Sequence, residues 1–331
     1  MKAKALNTAC GLAAVMGSSA AWGQSASSAE KPAESTTQVS APASGEPGPE
    51  TKEPGVSARF GFFGSHAFSA DFKDTGGDLS ITRGGAFFGV SVPLAERRSL
   101  DIGVQGERSR YDFGDAGGFP GSGGDGPWEN VNEINAGLSY NVRPLEHWGY
   151  FVGTGVNASW EQGAEFDDSL NVQFVGGATY SASKDFTIGA GLATGSRLED
   201  DWYFLPFPII NWNINEQWSV GTRPAAGARG FEVALEYQVT QSLQVRAFGG
   251  YEGREFRLDD NGPIPSGVGE DSGALAGLGV TWVIDPQVIL SGRVGASVYR
   301  EITADDQNGN ELAQDELDPS LYIGAGLTFK F

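Results

Sequence analysis

The sequence predicts an all-β protein: a closed antiparallel transmembrane β-barrel of about 14 strands, with 12 or 16 possible, joined as an up-and-down meander. Four observations support this class. From Val56 onward, successive segments alternate apolar and polar side chains with a period of two. Large aromatic residues fall near the ends of these segments, and short connections alternate with long polar ones. No apolar run reaches the roughly 18 residues that a transmembrane helix requires.

The position of the aromatic residues distinguishes two architectures that both alternate. A soluble sandwich turns its apolar face inward, whereas a membrane barrel turns it outward to lipid. In the segment Trp148–Trp160, the apolar face carries Trp148 and Tyr150 at one end and Trp160 at the other. Twelve residue steps at ~3.3 Å, tilted by about 40°, project to roughly 30 Å, close to the separation of the two aromatic girdles of a barrel. The pattern favours the membrane barrel.

The amino-terminal elements predict export. Residues 1–23 combine a basic start, an apolar run centred on Leu12–Met16 and small residues before a plausible cleavage point after Gly23, which is the order found in signal peptides. Cys10 is the only cysteine, and no apolar run precedes it, so we reject lipidation there. Residues 24–55 are rich in Ala, Ser, Pro and Glu, which predicts a disordered periplasmic linker. The barrel is expected to span residues 56–331.

The long connections carry most of the acidic residues. Together with the strand tips they hold 25 acidic and four basic residues, whereas the short turns hold five acidic and four basic residues. Three interpretations stay open: binding of divalent cations, a field that favours cations at a pore mouth, and a strongly hydrated outer surface. The run Asp305–Gly309 is similar to part of a calcium loop, but Ala304 occupies the first ligand position, so we predict no metal site.

The carboxyl-terminal segment Leu321–Phe331 alternates strictly and ends on an aromatic residue. It resembles the closing strand of Gram-negative outer-membrane β-barrels. Gly326, Phe329 and Phe331 match the assembly signal of that strand, whereas Gly324 replaces its polar residue. The resemblance implies location in the outer membrane, contact with its lipids and recognition by the barrel-insertion machinery.

A second resemblance lies within residues 197–240. The run WYFLPFPIINWNINEQWSVGTRP, followed by GFEVALEYQVT, is similar to a family of uncharacterised Gram-negative outer-membrane β-barrel proteins. The family is a domain of unknown function, so the resemblance implies a location and no activity. Independently of it, Pro206 and Pro208 remove two backbone donors, and we expect the strand to be frayed, bulged or above the membrane there.

Signals for catalysis are weak. Ser65 and His66 are adjacent, but neighbouring residues on a strand point to opposite faces and cannot act as a pair. The glycine-rich run Gly189–Gly195 has no following helix to present to a phosphate, so relief of crowding in the wall explains it better. We therefore predict no enzyme activity, no cofactor, no metal and no nucleic-acid partner.

The inward-facing charged residues are the remaining candidates for function. Alternation places a mixed set of arginines and glutamates toward the lumen, and those selected as lumen-lining are Arg83, Glu133, Arg223, Glu232, Glu236, Arg246 and Arg293. Such charges either pair to fill the barrel or line a hydrated path. The sequence thus suggests a passive, cation-preferring channel for small solutes. The alternative is a non-conducting structural or ligand-recognition barrel that acts through its acidic extracellular loops.

Overall fold

The structure is a computed structural model that describes residues 55–115, 117–121, 126–199, 202–224 and 230–331. The predicted signal peptide (1–23) lies outside the described residues, as does the predicted linker except for Gly55. Both therefore stay predictions. Among the described residues, no helix is long and apolar enough to cross a membrane.

The described chain forms β-strands and one 3-10 turn, Asp167–Ser169. The strand bounds are β1 (Ser57–Asp71), β2 (Asp78–Ala95), β3 (Arg98–Phe113), β4 (Asn130–Val142), β5 (Trp148–Glu161), β6 (Leu170–Ser181), β7 (Phe186–Gly195), β8 (Tyr203–Asn213), β9 (Trp218–Pro224), β10 (Gly230–Gln238), β11 (Leu243–Arg257), β12 (Val268–Asp285), β13 (Val288–Asp305), β14 (Glu311–Leu317) and β15 (Ser320–Lys330).

Antiparallel pairing between neighbouring strands closes the sheet on itself. Each strand from β1 to β13 pairs with the next, and β1 pairs with β15 from Arg59↔Lys330 to Ala67↔Tyr322. Strands β14 and β15 both pair with β13, at Arg300↔Leu317 and Ser297↔Ser320, so together they occupy one position in the wall. The break between them is at Asp318-Pro319, where proline cannot donate to a ladder. The predicted closed, 14-strand antiparallel meander is confirmed.

The outer surface of the barrel is apolar. Val152 and Leu278 are 59% and 62% exposed although they lie in the middle of strands. Near the short turns, exposed Trp148, Trp212 and Trp282 mark one aromatic girdle. A wall that turns aliphatic side chains outward between aromatic ends is the architecture of a transmembrane β-barrel.

At the long-loop end, the wall folds inward. The end of β5 pairs in parallel with the end of β11, at Trp160↔Arg257, although five strands separate them around the ring. The strands β1–β5 and β11–β14 thereby enclose a core of packed rings, which we call the aromatic cap. Its members are Phe72, Tyr111, Phe113, Phe119, Trp128 and Phe256, all buried, with ring centroids 5.3–6.4 Å apart.

Inward-facing glycines make room for aromatic rings on the neighbouring strand. A Cβ atom on Gly191 would lie 2.2 Å from the ring of Phe207, and one on Gly177 would lie 2.5 Å from the ring of Phe151. The glycine-rich run Gly189–Gly195 therefore forms part of the wall. Its small residues allow large rings to lie flat against it.

The two prolines Pro206 and Pro208 lie within β8 and face outward. Strand β8 is paired with β7 along Tyr203–Trp212, so it is not frayed on that side. On the other side, β8 pairs with β9 only along Asn211–Asn213. The expected disturbance thus affects one edge of the strand.

Candidate functional site

The lumen contains two groups of charged side chains that differ in exposure. The sequence-selected residues Arg83 and Glu133 belong to a deeply buried group, with side chains from β2, β3, β4 and β11–β13. Arg223, Glu232, Glu236, Arg246 and Arg293 lie on β9–β11 and β13. The structure places all seven residues on the inward side of their strands; their role in lining a conducting path stays a prediction.

The buried group is built around six side chains that we call the ion-pair cluster: Arg83, Glu107, Glu252, Arg254, Asp271 and Arg300. Arg83 forms its shortest pair with Asp271, and its guanidinium nitrogens lie 3.7 Å from Glu252 Oε1 and 3.9 Å from Glu107 Oε1. Arg254 Nη2 lies 3.0 Å from Glu107 Oε1, and Arg300 Nη2 lies 2.7 Å from Glu252 Oε1. These side chains are between 1% and 6% exposed.

The ion-pair cluster is electrically balanced, with three guanidinium groups and three carboxylates. Balance matters because an unpaired charge in a dry interior is strongly destabilising. The Tyr111 hydroxyl donates to Asp271 Oδ2 at 2.9 Å, which joins the cluster to the aromatic cap. A cavity of only about 10 Å³, lined in part by Arg83, Glu252 and Tyr322, is found beside the cluster. It has space for about one water molecule, so this side of the lumen is filled.

The Glu133 carboxylate accepts a hydrogen bond from the first of two linked side-chain amides, those of Asn135 and Asn157. Asn135 Nδ2 donates to Glu133 Oε1, and Asn157 Nδ2 donates to Asn135 Oδ1 at 2.7 Å. All three side chains are buried. The three side chains continue the polar filling of the lumen from β4 to β5.

The second group is closer to solvent. Arg223 Nη2 donates to Glu236 Oε1, and Arg246 Nη1 lies 3.2 Å from Glu232 Oε1. The Arg223 side chain is 26% exposed, more than either glutamate. Arg293 lies over the Tyr322 ring, with 5.4 Å from its guanidinium carbon to the ring centroid. Glu232 and Glu236 therefore do not present free negative charge to the lumen.

At the outer rim, two glutamates share one arginine. Glu255 on β11 lies opposite Glu270 on β12, and Arg197 Nη2 binds Glu270 and lies 3.3 Å from Glu255 Oε1. Burial, together with the charge of Glu255, raises the pKa of Glu270 to about 7. The Glu270 carboxyl group of this pair therefore changes protonation near neutral pH.

The run Asp305–Gly309 forms the turn between β13 and β14. The Asp306 carboxylate accepts hydrogen bonds from the side chain and backbone of Asn310 and from the backbone of Asn308, and these bonds lower the pKa of Asp306. Gly309 takes the left-handed backbone conformation that the turn needs, with φ +74°. In the part of the chain that the structure describes, no group of three or more His, Cys, Asp or Glu side chains is placed to hold a metal ion.

The residues of the assembly signal lie on both faces of β15. Phe329 and Phe331 point outward and stack on Phe60, with centroids 4.7 and 6.0 Å away. Gly326 points inward. Gly324 also points inward, and a Cβ there would lie 2.9 Å from Arg293 Nε, so a larger residue at this position would displace the Arg293 side chain.

Ser65 and His66 are on opposite faces of β1. His66 Nδ1 lies 2.9 Å from Thr82 Oγ1 on the outer face, whereas Ser65 lines the small interior cavity. The two side chains cannot act together.

The sequence analysis missed Asp271 and Arg300 as lumen residues. It counted residue 271 among the acidic residues of the long loops and strand tips, but β12 begins at Val268, and Asp271 shares the inward parity of Gly273 and Leu275. Extending the alternation backward by one step would have found it. Arg300 follows a register shift near Val298 that reverses parity, so simple counting from Arg293 places it on the wrong face.

The fold of the chain is similar to the folds of several solved structures. The chain is similar to an outer membrane channel from Pseudomonas putida F1, at 10% identity and a TM-score of 0.47, over 87% of this chain and 100% of that chain. It is also similar to the P. putida toluene transporter TodX, at 9% identity and a TM-score of 0.43, over 84% and 90% of the two chains. These values are too low to transfer a function. No curated protein matches the sequence.

The family of the chain follows from a match to a family model. The model described as "Domain of unknown function (DUF6268)" matches residues 128–330, more than half of the chain. The match includes the proline-containing run on which the sequence resemblance was based, so the assignment to an uncharacterised family of outer-membrane β-barrels is confirmed. The chain belongs to the DUF6268 family.

Proposed function

We propose that the protein is an outer-membrane channel for small solutes, with its path along the β6–β9 side of the lumen. The contrast between the two sides of the lumen carries this proposal. The ion-pair cluster and the aromatic cap fill the side formed by β1–β3 and β11–β14. On β6–β9, the inward residues Gly177, Thr179, Gly189, Gly221 and Arg223 are only partly buried, whereas Val175, Ala193 and Tyr203 on the same strands are buried. Small side chains with residual exposure leave room for a hydrated path.

We propose further that the channel prefers cations and that the outer rim sets this preference. The acidic excess lies in the long loops and strand tips, and a rim of one sign raises the local concentration of counter-ions. The same field would attract divalent cations. Since Glu232 and Glu236 are each bound to an arginine, they contribute by neutralising Arg223 and Arg246.

Reversal potentials in a salt gradient across a planar bilayer test both statements. Wild-type protein is expected to conduct, with cation selectivity that weakens at high salt because screening shortens the field. Changing Glu232 and Glu236 together to Gln leaves two arginines without partners and should shift selectivity toward anions. The matched control changes Glu96 and Glu146, at the short turns, and should have little effect on selectivity. An anion-selective wild-type pore would contradict the electrostatic argument.

The location is tested separately. We propose that the signal peptide delivers the chain to the outer membrane, where insertion machinery recognises its carboxyl terminus. Folded protein extracted from that membrane should migrate faster than boiled protein on a detergent gel. A full-length soluble periplasmic species without this mobility shift would refute the location.

One observation favours a second candidate function. The aromatic cap closes part of the outer end of the barrel, as a structural or ligand-recognition barrel would require. Such a protein would act through its acidic loops. Absence of measurable conductance from correctly folded protein would favour this function over the channel.

A further inference from the structure

The outer surface of the wall carries two exposed arginines on β3. The even-numbered residues of this strand face outward: Ile102 and Val104 are 49% and 44% exposed, and Arg108 and Arg110 follow them with the same parity. From Leu100 to Arg108 the strand rises roughly 20 Å, at ~3.3 Å per residue and a tilt of about 40°, and the apolar band of a barrel is about 25 Å tall. Arg108 therefore lies at the outer edge of the band and not at its midplane, where an arginine that faces lipid is strongly destabilising.

A depression in the outer wall lies beside these arginines. It has a volume of about 370 Å³, and Gly84, Gly106, Arg108 and Trp160 are among the residues that line it. The register Gly84↔Arg108, Arg108↔Asn132 and Asn132↔Trp160 places its sides on the neighbouring strands β2–β5. Trp160 is the aromatic residue at the long-loop end of β5, so the depression lies at the level where the bilayer meets water.

Packing within the protein does not require the two glycines of the depression. A Cβ atom on Gly84 would meet no atom nearer than the Phe63 carbonyl oxygen at 3.8 Å, and a Cβ atom on Gly106 would meet none nearer than 3.9 Å. By contrast, a Cβ atom on the inward Gly85 would collide with the Gly106 carbonyl oxygen. Glycine at positions 84 and 106 therefore leaves space on the lipid side of the wall.

The positive charge of Arg108 has no carboxylate partner among the residues that the structure describes. Arg108 Nη2 donates to Gln162 Oε1 at 3.4 Å, and this partner is a neutral amide. Arg110 Nε lies 3.6 Å from Glu129 Oε1, but both side chains are largely exposed, so water weakens the attraction between them. An anion that reaches the depression therefore meets one arginine without a carboxylate partner and one that is weakly paired.

The acidic residues near the depression are directed away from it. Glu107 and Glu133 also line the depression, but their carboxylates are bound inside the lumen. Asp112 faces outward on β3, two residues beyond Arg110 toward the long loops. The outer face of β3 thus changes from apolar to basic and then to acidic as it leaves the bilayer.

We propose that this depression binds the headgroup of a phosphorylated glycolipid. Arginine binds phosphate through charge-assisted and often bidentate hydrogen bonds, and Arg108 and Arg110 lie on one face of one strand. The amides of Asn130 and Asn132, on the adjoining strand, have donors and acceptors for sugar hydroxyls. The acyl chains lie along the apolar outer face at Ile134. Since the long loops of such barrels are extracellular, the lipid belongs to the outer leaflet.

Binding of lipid to the purified barrel tests the role of charge. In a neutral detergent, native mass spectrometry should show a complex with diphosphoryl lipid A at lower concentration than with lipid A from which both phosphates have been removed. Arg108→Gln should weaken binding of the phosphorylated form about tenfold, the size expected for one charge-assisted hydrogen bond, and leave binding of the dephosphorylated form unaffected. The matched control is Arg98→Gln, which removes an exposed arginine from the same face of β3 at the short-turn end and should change neither. Equal losses in the two variants, or equal binding of the two lipids, would refute the site.

Filling the depression tests its shape. Gly106→Val adds a side chain on the lipid side of the wall and should weaken binding of diphosphoryl lipid A several-fold, with correct folding checked by the heat-dependent gel shift. Gly249→Val is the control, because Gly249 faces outward on β11 and a Cβ atom there would meet nothing nearer than 3.7 Å. If the two variants bind the lipid equally well, the lipid does not occupy the depression.

Two competitors distinguish the glycolipid from other sources of phosphate. Inorganic phosphate has no acyl chains and should not displace lipid A at equal concentration; displacement would assign the site to free phosphate and overturn the proposal. Dipalmitoyl phosphatidic acid has acyl chains and a phosphate but no sugar, and should bind more weakly than lipid A. Equal binding would overturn the assignment to a glycolipid. None of these measurements depends on conduction, so the lipid site and the channel can fail independently.

Discussion

Replacing Arg83 with Met tests whether the charge balance of the ion-pair cluster stabilises the barrel. The substitution keeps much of the side-chain volume but leaves two guanidinium groups with three carboxylates in a site between 1% and 6% exposed. At pH 7, neutralising one carboxylate by protonation costs roughly 3.7 kcal/mol, from 1.36 kcal/mol per pH unit and an ordinary pKa of about 4.3. This value falls in the range of about 3–5 kcal/mol for breaking a buried ion pair.

The assay is reversible unfolding in guanidinium chloride with the protein inserted in lipid vesicles. We expect Arg83→Met to lower the free energy of unfolding by roughly 3.7 kcal/mol at pH 7, and by less at pH 5. The loss is smaller at pH 5 because the folded variant binds one more proton than the unfolded chain, so the stability of the variant rises as the pH falls. The double variant Arg83→Met with Asp271→Leu restores the balance and should recover most of the loss.

A matched control separates burial from charge removal. Arg110 pairs with Glu129 at 3.6 Å, but the two side chains are 61% and 47% exposed. Arg110→Gln should change stability by no more than about 0.5 kcal/mol. Equal effects of Arg83→Met and Arg110→Gln, or a loss for Arg83→Met that does not vary with pH, would refute the role of the buried balance.

Two other predictions concern assembly and pH. Replacing Phe329 and Phe331 with Ser should sharply reduce membrane-inserted protein on a heat-shift gel, since both rings are presented on the outer surface; wild-type levels would show that this terminus is not the insertion signal. For Glu270, a folded pKa of about 7 exceeds the unfolded value, so its contribution to stability is present at low pH and falls by about 1.4 kcal/mol between pH 6 and pH 8. After correction for the intrinsic pH dependence of amide exchange, protection near Arg197 should fall over that interval in the wild type and not in Glu270→Gln; an equal fall in the variant would exclude Glu270.

The sequence predicted the membrane-spanning part of the fold well because lipid imposes a strict pattern there. Where one face of a strand meets hydrocarbon and the other meets the lumen, as from Ile134 to Val142, apolar and polar residues must alternate. Beyond the bilayer this constraint ends. The tips of β12 and β13 and all of β14 carry polar residues on both faces, so the sequence analysis assigned them to loops.

The candidate site was only partly predictable, for a different reason. Alternation can indicate that Arg83 points inward, but it cannot indicate that its partner is Asp271, which lies 188 residues away. The parallel contact of Trp160 with Arg257 likewise leaves no local pattern in either segment. These residues meet only because the sheet closes into a ring, and the local pattern of a single sequence does not indicate which distant residues will meet.

The aromatic cap depends on segments from both ends of the described barrel. The cap takes its rings from β3, β11 and the loops that follow β1 and β3, segments near both ends of the described barrel. A partly assembled sheet that lacks β11–β15 therefore has no cap, and its buried arginines and glutamates face water. They lose that water only when β15 meets β1. Closure of the ring thus does three things together: it closes the wall, dehydrates the charges and encloses the rings, so we expect a sheet that has not closed to keep these charges hydrated.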